Sequence, residues 1–377
     1  MRPSVTRYVS VLRWKAGEMT ALSQFPEPLR GVLVPLIEPT ARREAERCGS
    51  EPLADLSFRA MAHELGLAWL RRPFFFDLRD LVARTAQPAP ALMTRFLAAA
   101  AQYSLKAIPV FSLADTGTVS KHAWARFTRT GRIALRVEET AMASAIGRLQ
   151  VLDFLAAAGK TPNGVHLVVD RGHLADDVPP LKLMLTIAAM GSWASTTVLG
   201  GSFPKDLTHL SAGTYRLPRR EWLAYRDLCA TWPDSLALPN FGDYTTQHAL
   251  YEEPPVFCSP SASVRYALES EWLVLRGHSR KVLSPATPQF NGHAIHLTEA
   301  VQPKSAIECY GDDFIRRKAM SGASPGNFED WLAASVNRHL SLTAHNIASL
   351  RVAGVRAINM PQFSRAEEQA AKTEHHK

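Results

Sequence analysis

Residues 73–79 read Pro73-Phe74-Phe75-Phe76-Asp77-Leu78-Arg79, a short apolar run that ends in a charged pair. Successive side chains of a β-strand point to opposite faces, so Phe75, Asp77 and Arg79 share one face. Apolar residues on both faces, with polar residues held back to the carboxyl end, are typical of a parallel strand that is covered on both sides. This stretch therefore predicts a buried parallel strand with its functional groups at the C-terminal end.

The same design recurs along the chain. The segments Gly31–Glu38, Ile133–Glu138 and Val165–Asp170 are apolar runs that also stop at a carboxylate. Four such strands indicate one sheet with one functional edge. The eight predicted strands are Tyr8–Arg13, Gly31–Glu38, the stretch 73–79, Ala107–Phe111, Ile133–Glu138, Val165–Asp170, Trp193–Leu199 and Thr214–Leu217.

Segments with helical spacing separate these strands, among them Asp55–Trp69, Ala91–Gln102 and Ala141–Ala158. Strand–helix alternation of this kind implies parallel pairing through right-handed crossovers. Eight such units predict an α/β fold, a closed TIM-like (β/α)8 barrel whose site lies at the C-terminal strand ends. The alternative is a doubly wound open α/β sheet with the carboxylates in a switch-point crevice, although no glycine fingerprint follows the first strand.

The pattern changes after Pro233. A β-hairpin is predicted from Ser263–Ala267 and Trp272–Arg276, and a helix from Phe328–Leu350. We therefore predict a barrel domain over residues 1–232, a C-terminal α+β appendage of hairpin and helix packed on it over residues 233–362, and a flexible tail over residues 363–377.

Composition bounds the function classes. The chain of 377 residues is 46% hydrophobic and 21% charged, with no apolar run long enough to span a bilayer. The lack of such a run favours a protein without membrane association. The four cysteines are widely spaced, which argues against a zinc knuckle or a disulfide framework and favours a cytoplasmic location. The net charge of +8 permits an anionic partner, either nucleic acid or a phosphorylated small molecule.

The strand-end carboxylates are the candidate catalytic groups. Carboxylates that converge at one barrel mouth repel one another, so they must share a metal, share protons or pair with cations. Glu38, Asp77 and Asp170 would suit Mg²⁺ or Mn²⁺, which could activate water against a phosphodiester; two metal-free carboxylates could serve glycoside hydrolysis. The alternative is a structural ring of ion pairs. The candidate catalytic residues are Glu38, Asp77, Arg79, Glu138, Asp170 and Lys15, and the cations of the alternative ring are Arg13, Lys15, Arg79 and Arg136.

Candidate anion-binding residues lie in three places. Arg13 and Arg136 accompany the strand-end acids. Gly200 and Gly201 follow the seventh predicted strand and Arg216 lies in the eighth, where barrel enzymes often hold phosphate; the alternative is a tight turn. The predicted hairpin interleaves arginine with aromatic residues, a pattern that would stack on bases and hold phosphates, or would build a lid or an oligomer contact. Its candidate residues are Arg265, Tyr266 and Arg276.

Histidine forms no recognisable zinc spacing in this sequence. His166 lies inside a predicted strand, which favours a core histidine with a satisfied hydrogen bond. His173, just beyond the same strand, is the better candidate for chemistry.

Several motifs together carry a family resemblance. They are Tyr8-Val9-x-Val11-Leu12-Arg13-Trp14-Lys15-x-Gly17-Glu18, Pro35-Leu36-Ile37-Glu38, Pro73-Phe74-Phe75-x-Asp77-Leu78-Arg79, Gly242-Asp243-Tyr244 and Val264-Arg265-Tyr266 with Trp272-Leu273-Val274-Leu275-Arg276-Gly277. In this combination the chain resembles the phage beta-protein family, also met as "beta family protein", from about Tyr8 to Leu350. The resemblance implies a role in phage–host conflict and carries over no catalytic residue.

Two functional hypotheses follow from the sequence. The first is an enzyme, a metal-dependent phosphodiesterase or nuclease-like hydrolase, acting on a phosphate-containing substrate or nucleic acid. The second is a non-catalytic interaction or sensing subunit of a phage-defence system, with a partner protein from the same operon.

Overall fold

The computed structural model describes residues 7–40, 55–84, 88–129, 131–250, 252, 260–279, 289–305 and 307–352. The predicted flexible tail, residues 363–377, lies outside the described residues. The division at residue 232 stays a prediction.

Eight parallel strands close into a barrel, which confirms the predicted fold class over the open-sheet alternative. The barrel strands are β1 (Tyr8–Leu12), β2 (Leu33–Ile37), β3 (Pro73–Phe76), β4 (Lys106–Phe111), β5 (Ile133–Glu138), β6 (Val165–His173), β7 (Ser195–Gly201) and β9 (Asn240–Asp243). Strand β9 pairs with both β7 and β1 and so closes the circle.

The predicted eighth barrel strand was wrong. Thr214–Leu217 lies in β8 (Gly213–Pro218), which belongs to a separate three-stranded antiparallel sheet with β10 (Ser261–Ala267) and β11 (Glu271–Ser279). The true closing strand, β9, has only four residues and includes asparagine, glycine and aspartate, which are depleted in strands. The sequence of β9 therefore does not predict a strand, whereas Thr214–Leu217 in β8 has a stronger strand propensity than β9.

Helices connect the barrel strands and cover their outer face. They are α1 (Ala16–Ser23), α2 (Asp55–Trp69), α3 (Arg79–Arg84), α4 (Ala89–Gln102), α5 (Asp115–Thr118), α6 (Lys121–Arg129), α7 (Glu139–Ala143), α8 (Ala145–Ala158), α9 (Leu181–Met190) and α10 (Arg220–Thr231). The C-terminal part adds α11 (Gln289–His296), a π-helical turn (Leu297–Val301), α12 (Gln302–Ser305), α13 (Tyr310–Ala319) and α14 (Phe328–Val352).

Helix α14 joins the second sheet to the barrel. It packs against α1, and Val336, Leu340 and Ala344 belong to the same apolar core as the outer face of the barrel strands. Deeper in, His339 Nε2 lies 2.7 Å from Asp243 Oδ2, whose other oxygen accepts a hydrogen bond from Tyr8 at 2.7 Å. The appended sheet is thus fixed to the barrel by a shared core and by a buried polar contact to β9.

The inner face of the barrel changes character along its axis. We call the end where the strands begin the foot and the end where they terminate the mouth. A middle layer of Val11, Leu36, Val110, Val168 and Leu199 forms an apolar core. On either side of this layer the inward positions become polar, as described below.

Among the helices of the described ranges, none combines the length and the apolar character needed to cross a bilayer.

Candidate functional site

Arg136 is the centre of a charged cluster at the barrel mouth. It projects from β5, is 3% exposed, and aims its guanidinium at carboxylates from three other strand ends. Its Nη1 donates to Glu38 Oε2 at 2.9 Å and to Asp77 Oδ2 at 2.8 Å, and its Nε donates to Asp170 Oδ2 at 3.0 Å. The sequence predicts that these four residues lie at the same edge of the barrel, and the structure shows that they are in direct contact.

Every carboxylate oxygen of the three buried acids accepts at least one hydrogen bond from the protein. The second Glu38 oxygen accepts from Arg13, and the second Asp77 oxygen accepts from the backbone N–H of Arg79 at 3.0 Å. The second Asp170 oxygen accepts from Tyr244 at 2.6 Å and from the Gly172 backbone at 2.9 Å. We refer to Arg13, Glu38, Asp77, Arg79, Arg136, Asp170 and Tyr244 as the mouth network.

The mouth network balances its charges. Three carboxylates face three guanidiniums, and Arg79 makes the longest contacts, 3.4 Å to Asp77 and 3.4 Å to Asp170. Burial alone would raise the pKa of Asp170, but the nearby Arg136 charge and the Tyr244 hydrogen bond hold it below its usual value. Likewise, burial would lower the pKa of Arg136, but Tyr244 and the carboxylates raise it well above its usual range. Both groups are therefore charged at neutral pH.

Three of the candidate catalytic residues lie at the edge of this network or beyond it. The side chain of Arg79 is 38% exposed, so it is the network's contact with solvent. Glu138 is exposed at the end of β5. Lys15 lies at the start of α1, where its charge faces Glu18, whose side chain also accepts a hydrogen bond from the Lys15 backbone.

The geometry of the three buried acids does not fit a bound metal. Glu38, Asp77 and Asp170 all converge on the Arg136 guanidinium, which fills the place that a shared cation would need. Throughout the described ranges, no group of three or more histidine, cysteine, aspartate or glutamate side chains is arranged to hold a metal ion. The proposal of Mg²⁺ or Mn²⁺ at these residues gains no support from this arrangement.

The glycine pair and Arg216 lie in two different sheets. Gly200 and Gly201 are buried within β7, where a Cβ added to Gly201 would come within 3.1 Å of the Tyr244 ring. Glycine at position 201 leaves room for the Tyr244 ring to lie over the strand. In this position the Tyr244 hydroxyl accepts a hydrogen bond from Arg136 Nη2 at 2.8 Å. Arg216 is exposed on β8 of the second sheet and pairs with Glu271 at 2.6 Å.

Most of the candidate side chains on the β10–β11 hairpin point into the protein and not towards solvent. Tyr266 is fully buried and donates to Asp312 at 2.9 Å, while Trp272 stacks on His339 with ring centroids 4.7 Å apart. Arg265 donates to the Thr246 carbonyl and lies 4.4 Å from the Phe203 ring centroid. Arg276 is half-buried on β11. These two aromatic rings are not placed to stack on bases.

Sequence reasoning missed Tyr244 as a member of the mouth network. Its hydroxyl bridges Asp170 and Arg136, and both the Arg13 and the Arg136 guanidiniums lie within 5.7 Å of its ring centroid. The signal was present, because Asp243-Tyr244 follows Phe241-Gly242 as a polar group after an apolar one. It was hidden because β9 was not recognised as a barrel strand.

His166 lies near the foot, within hydrogen-bond distance of Ser195 at 2.8 Å, as expected for a satisfied histidine. Burial, and then the charge of Arg132, lowers its pKa from 6.5 to about 4.

The lowered pKa of His166 makes the stability of the protein depend on pH. Between pH 4 and pH 6.5 the unfolded chain binds a proton at this residue that the folded chain does not, so stability present above pH 6.5 is lost as the pH falls towards 4. We expect His166→Gln to lose less stability than the native chain between pH 7 and pH 5, measured by urea unfolding. Equal losses in the two proteins would contradict this assignment.

A comparison with protein families matches most of the chain. The family model described as Beta protein matches residues 8–345, which include the barrel strands, the mouth network and most of α14. No curated protein matches this chain.

Proposed function

The chain belongs to the Beta protein family, and for this member we propose a barrel that binds rather than catalyses: an interaction or sensing subunit in phage–host conflict. One observation carries the proposal. All six carboxylate oxygens of Glu38, Asp77 and Asp170 already accept hydrogen bonds from the protein.

Such pairing of every oxygen is unfavourable for the chemistry that strand-end acids usually perform. A general base must accept a proton from the reacting group within hydrogen-bond distance, and a general acid must carry a proton near neutral pH. Asp170 has a lowered pKa, so it does not act as an acid, and its oxygens are held by Arg136 and Tyr244. A paired and buried network is instead typical of a rigid structural element. The link to phage–host conflict rests on the resemblance of the sequence motifs to the phage beta-protein family alone.

A phosphate-processing enzyme is the second candidate, and one observation favours it. The Arg79 side chain is partly exposed and makes only long contacts with Asp77 and Asp170, so its guanidinium could turn towards an incoming phosphate. An enzyme of this kind would hydrolyse the model phosphodiester bis(p-nitrophenyl) phosphate. It would lose that activity, with its fold intact, in Arg79→Met.

The phosphodiesterase assay separates the two candidates, and thermal melting with and without millimolar Mg²⁺, Mn²⁺ or Ca²⁺ tests a metal-dependent form of the enzyme. We expect no metal-dependent shift beyond about 1 °C in the native protein, because ligands that bind the folded state raise the melting temperature only when a site exists. We also expect Asp77→Asn to melt at a lower temperature without any metal, since Arg136 and Arg79 lose a charged partner.

The matched control is Asp153→Asn on the exposed face of α8, which should melt like the native chain. The proposal would be overturned by a metal-dependent rise that disappears in Asp77→Asn, or by phosphodiesterase activity that disappears in Arg79→Met.

A further inference from the structure

The foot of the barrel holds a large cavity. It has a volume of about 830 Å³, within the usual range for small-molecule sites. All eight barrel strands, or the residues just before them, contribute to its wall, for example Val9 in β1, Lys106 in β4 and Asn240 in β9. It lies at the opposite end of the barrel from the mouth network and shares no residue with it.

The cavity exists because the inward residues at the foot do not fill the barrel. In most barrels this level is packed with branched apolar side chains. Here Lys106 and Arg132 are exposed, and Ser195 and Asn240 are too small to replace a packed layer. The apolar layer of the barrel, which includes Phe75, therefore becomes the floor of an open cavity.

The wall of this cavity is strongly basic. In the part of the chain that the structure describes, no aspartate or glutamate lines it, whereas five cations do: Arg7, Arg30, Arg72, Lys106 and Arg132. Glu27, which pairs with Arg30 at 2.9 Å and with Arg72 at 2.5 Å, has a side chain that is 65% exposed and lies outside the lining. Like charges around a concave, low-dielectric wall concentrate a positive potential, which favours an anionic ligand.

The floor has a mixed character. Val9, Val34 and Ile108 are apolar, while His166 and Ser195 are neutral hydrogen-bonding groups linked to each other. His166 is neutral at physiological pH because its pKa is lowered, and its ring meets Phe75 edge to face at 5.3 Å. An acyl chain would offer these polar groups no further hydrogen bond. A heteroaromatic ring, in contrast, offers both a flat apolar face and hydrogen-bonding edges.

We propose that the foot cavity binds a nucleoside phosphate, with its base against the floor around Phe75 and His166 and its phosphates at the rim beside Lys106 and Arg132. Guanidinium groups recognise phosphate through paired hydrogen bonds, which suits Arg132. Arg30 and Arg72 are instead paired with Glu27. A bound nucleotide would then be the small molecule that the proposed sensing subunit detects. The site stands independently of the mouth, because none of its residues belongs to the mouth network.

The test is isothermal titration calorimetry of the full chain with ADP, GDP, CDP and UDP, and with inorganic pyrophosphate and adenosine as partial ligands. We expect at least one nucleoside diphosphate to bind with a Kd below about 100 μM and more tightly than pyrophosphate. Lys106→Glu and Arg132→Glu should each weaken that binding at least tenfold, which corresponds to about 1.4 kcal/mol. The control Lys182→Glu reverses an exposed charge at the start of α9, outside the cavity lining, and should leave the Kd within about twofold.

His166→Ala tests the floor separately from the rim. It should weaken nucleotide binding while leaving pyrophosphate binding unchanged. Thermal melting of each variant, recorded alongside, verifies that it is folded. The proposal would be overturned if no nucleotide binds at millimolar concentration, if pyrophosphate binds as tightly as the nucleotides, or if neither charge reversal changes the Kd. None of these results bears on the metal and Asp77→Asn test of the mouth.

Discussion

Replacing Arg136 by methionine is expected to lower the free energy of unfolding by about 3–5 kcal/mol. The substitution keeps a side chain of similar length and removes the cation on which Glu38, Asp77 and Asp170 converge. These three carboxylates are at most 7% exposed, so they would be left buried and would repel one another. Equilibrium unfolding in urea at pH 7 measures the loss.

Arg79→Met is the matched control for this change. Arg79 contacts two of the same carboxylates, but its side chain is 38% exposed and the contacts are 3.4 Å long. Ion pairs of that kind contribute about 0–1 kcal/mol. If the two variants lost the same stability, Arg136 would not be the centre of the network.

The second large effect is expected in the appended part of the protein. Arg338→Met should also cost about 3–5 kcal/mol, because Arg338 and Asp312 form an ion pair at 3.0 Å in which neither side chain is exposed. Arg338 also donates to the Ala267 carbonyl at 3.3 Å and so connects α14 to β10. Without it, Asp312 would keep hydrogen bonds from Tyr266 and from the Ile307 backbone but would lose its neutralising charge.

Arg316→Met provides the comparison for Arg338. Arg316 pairs with Asp313 on the exposed side of α13, where both side chains are about half exposed. Its loss should change the free energy of unfolding by less than about 1 kcal/mol. A loss from Arg338→Met no larger than that of Arg316→Met would show that the buried pair contributes little to the stability of this region.

The alternation of side chains between the two faces of each strand predicts much of the arrangement at the barrel mouth. Placing Phe75 and Asp77 on one face of a strand is sufficient to predict that the barrel lumen turns from apolar to charged towards the mouth. Because parallel strands end at one edge, the sequence alone is sufficient to assign Glu38, Asp77, Arg136 and Asp170 to a common cluster.

Other features could not be predicted from local pattern. The spacing of Asp77 and Arg79 fits a catalytic carboxylate, a metal ligand and an ion pair equally well, since the choice depends on where each oxygen points. The role of Asn240–Asp243 as the closing strand depends on its pairing with β1, more than 220 residues away in the chain. The foot cavity depends on eight strand starts that never lie close in sequence.

The most direct test of the central claim, that the mouth acids form a fixed ion-pair network, is a double-mutant cycle between Arg136→Met and Asp77→Asn. The two side chains are 2.8 Å apart, so we predict a coupling free energy of about 1–3 kcal/mol from urea unfolding of the native protein, both single variants and the double variant. The parallel cycle of Arg136→Met with Asp153→Asn, an exposed residue on α8, should be additive within about 0.5 kcal/mol. Additivity between Arg136 and Asp77 would contradict the account, because it would mean that these acids are not held by the arginine and remain available for other chemistry.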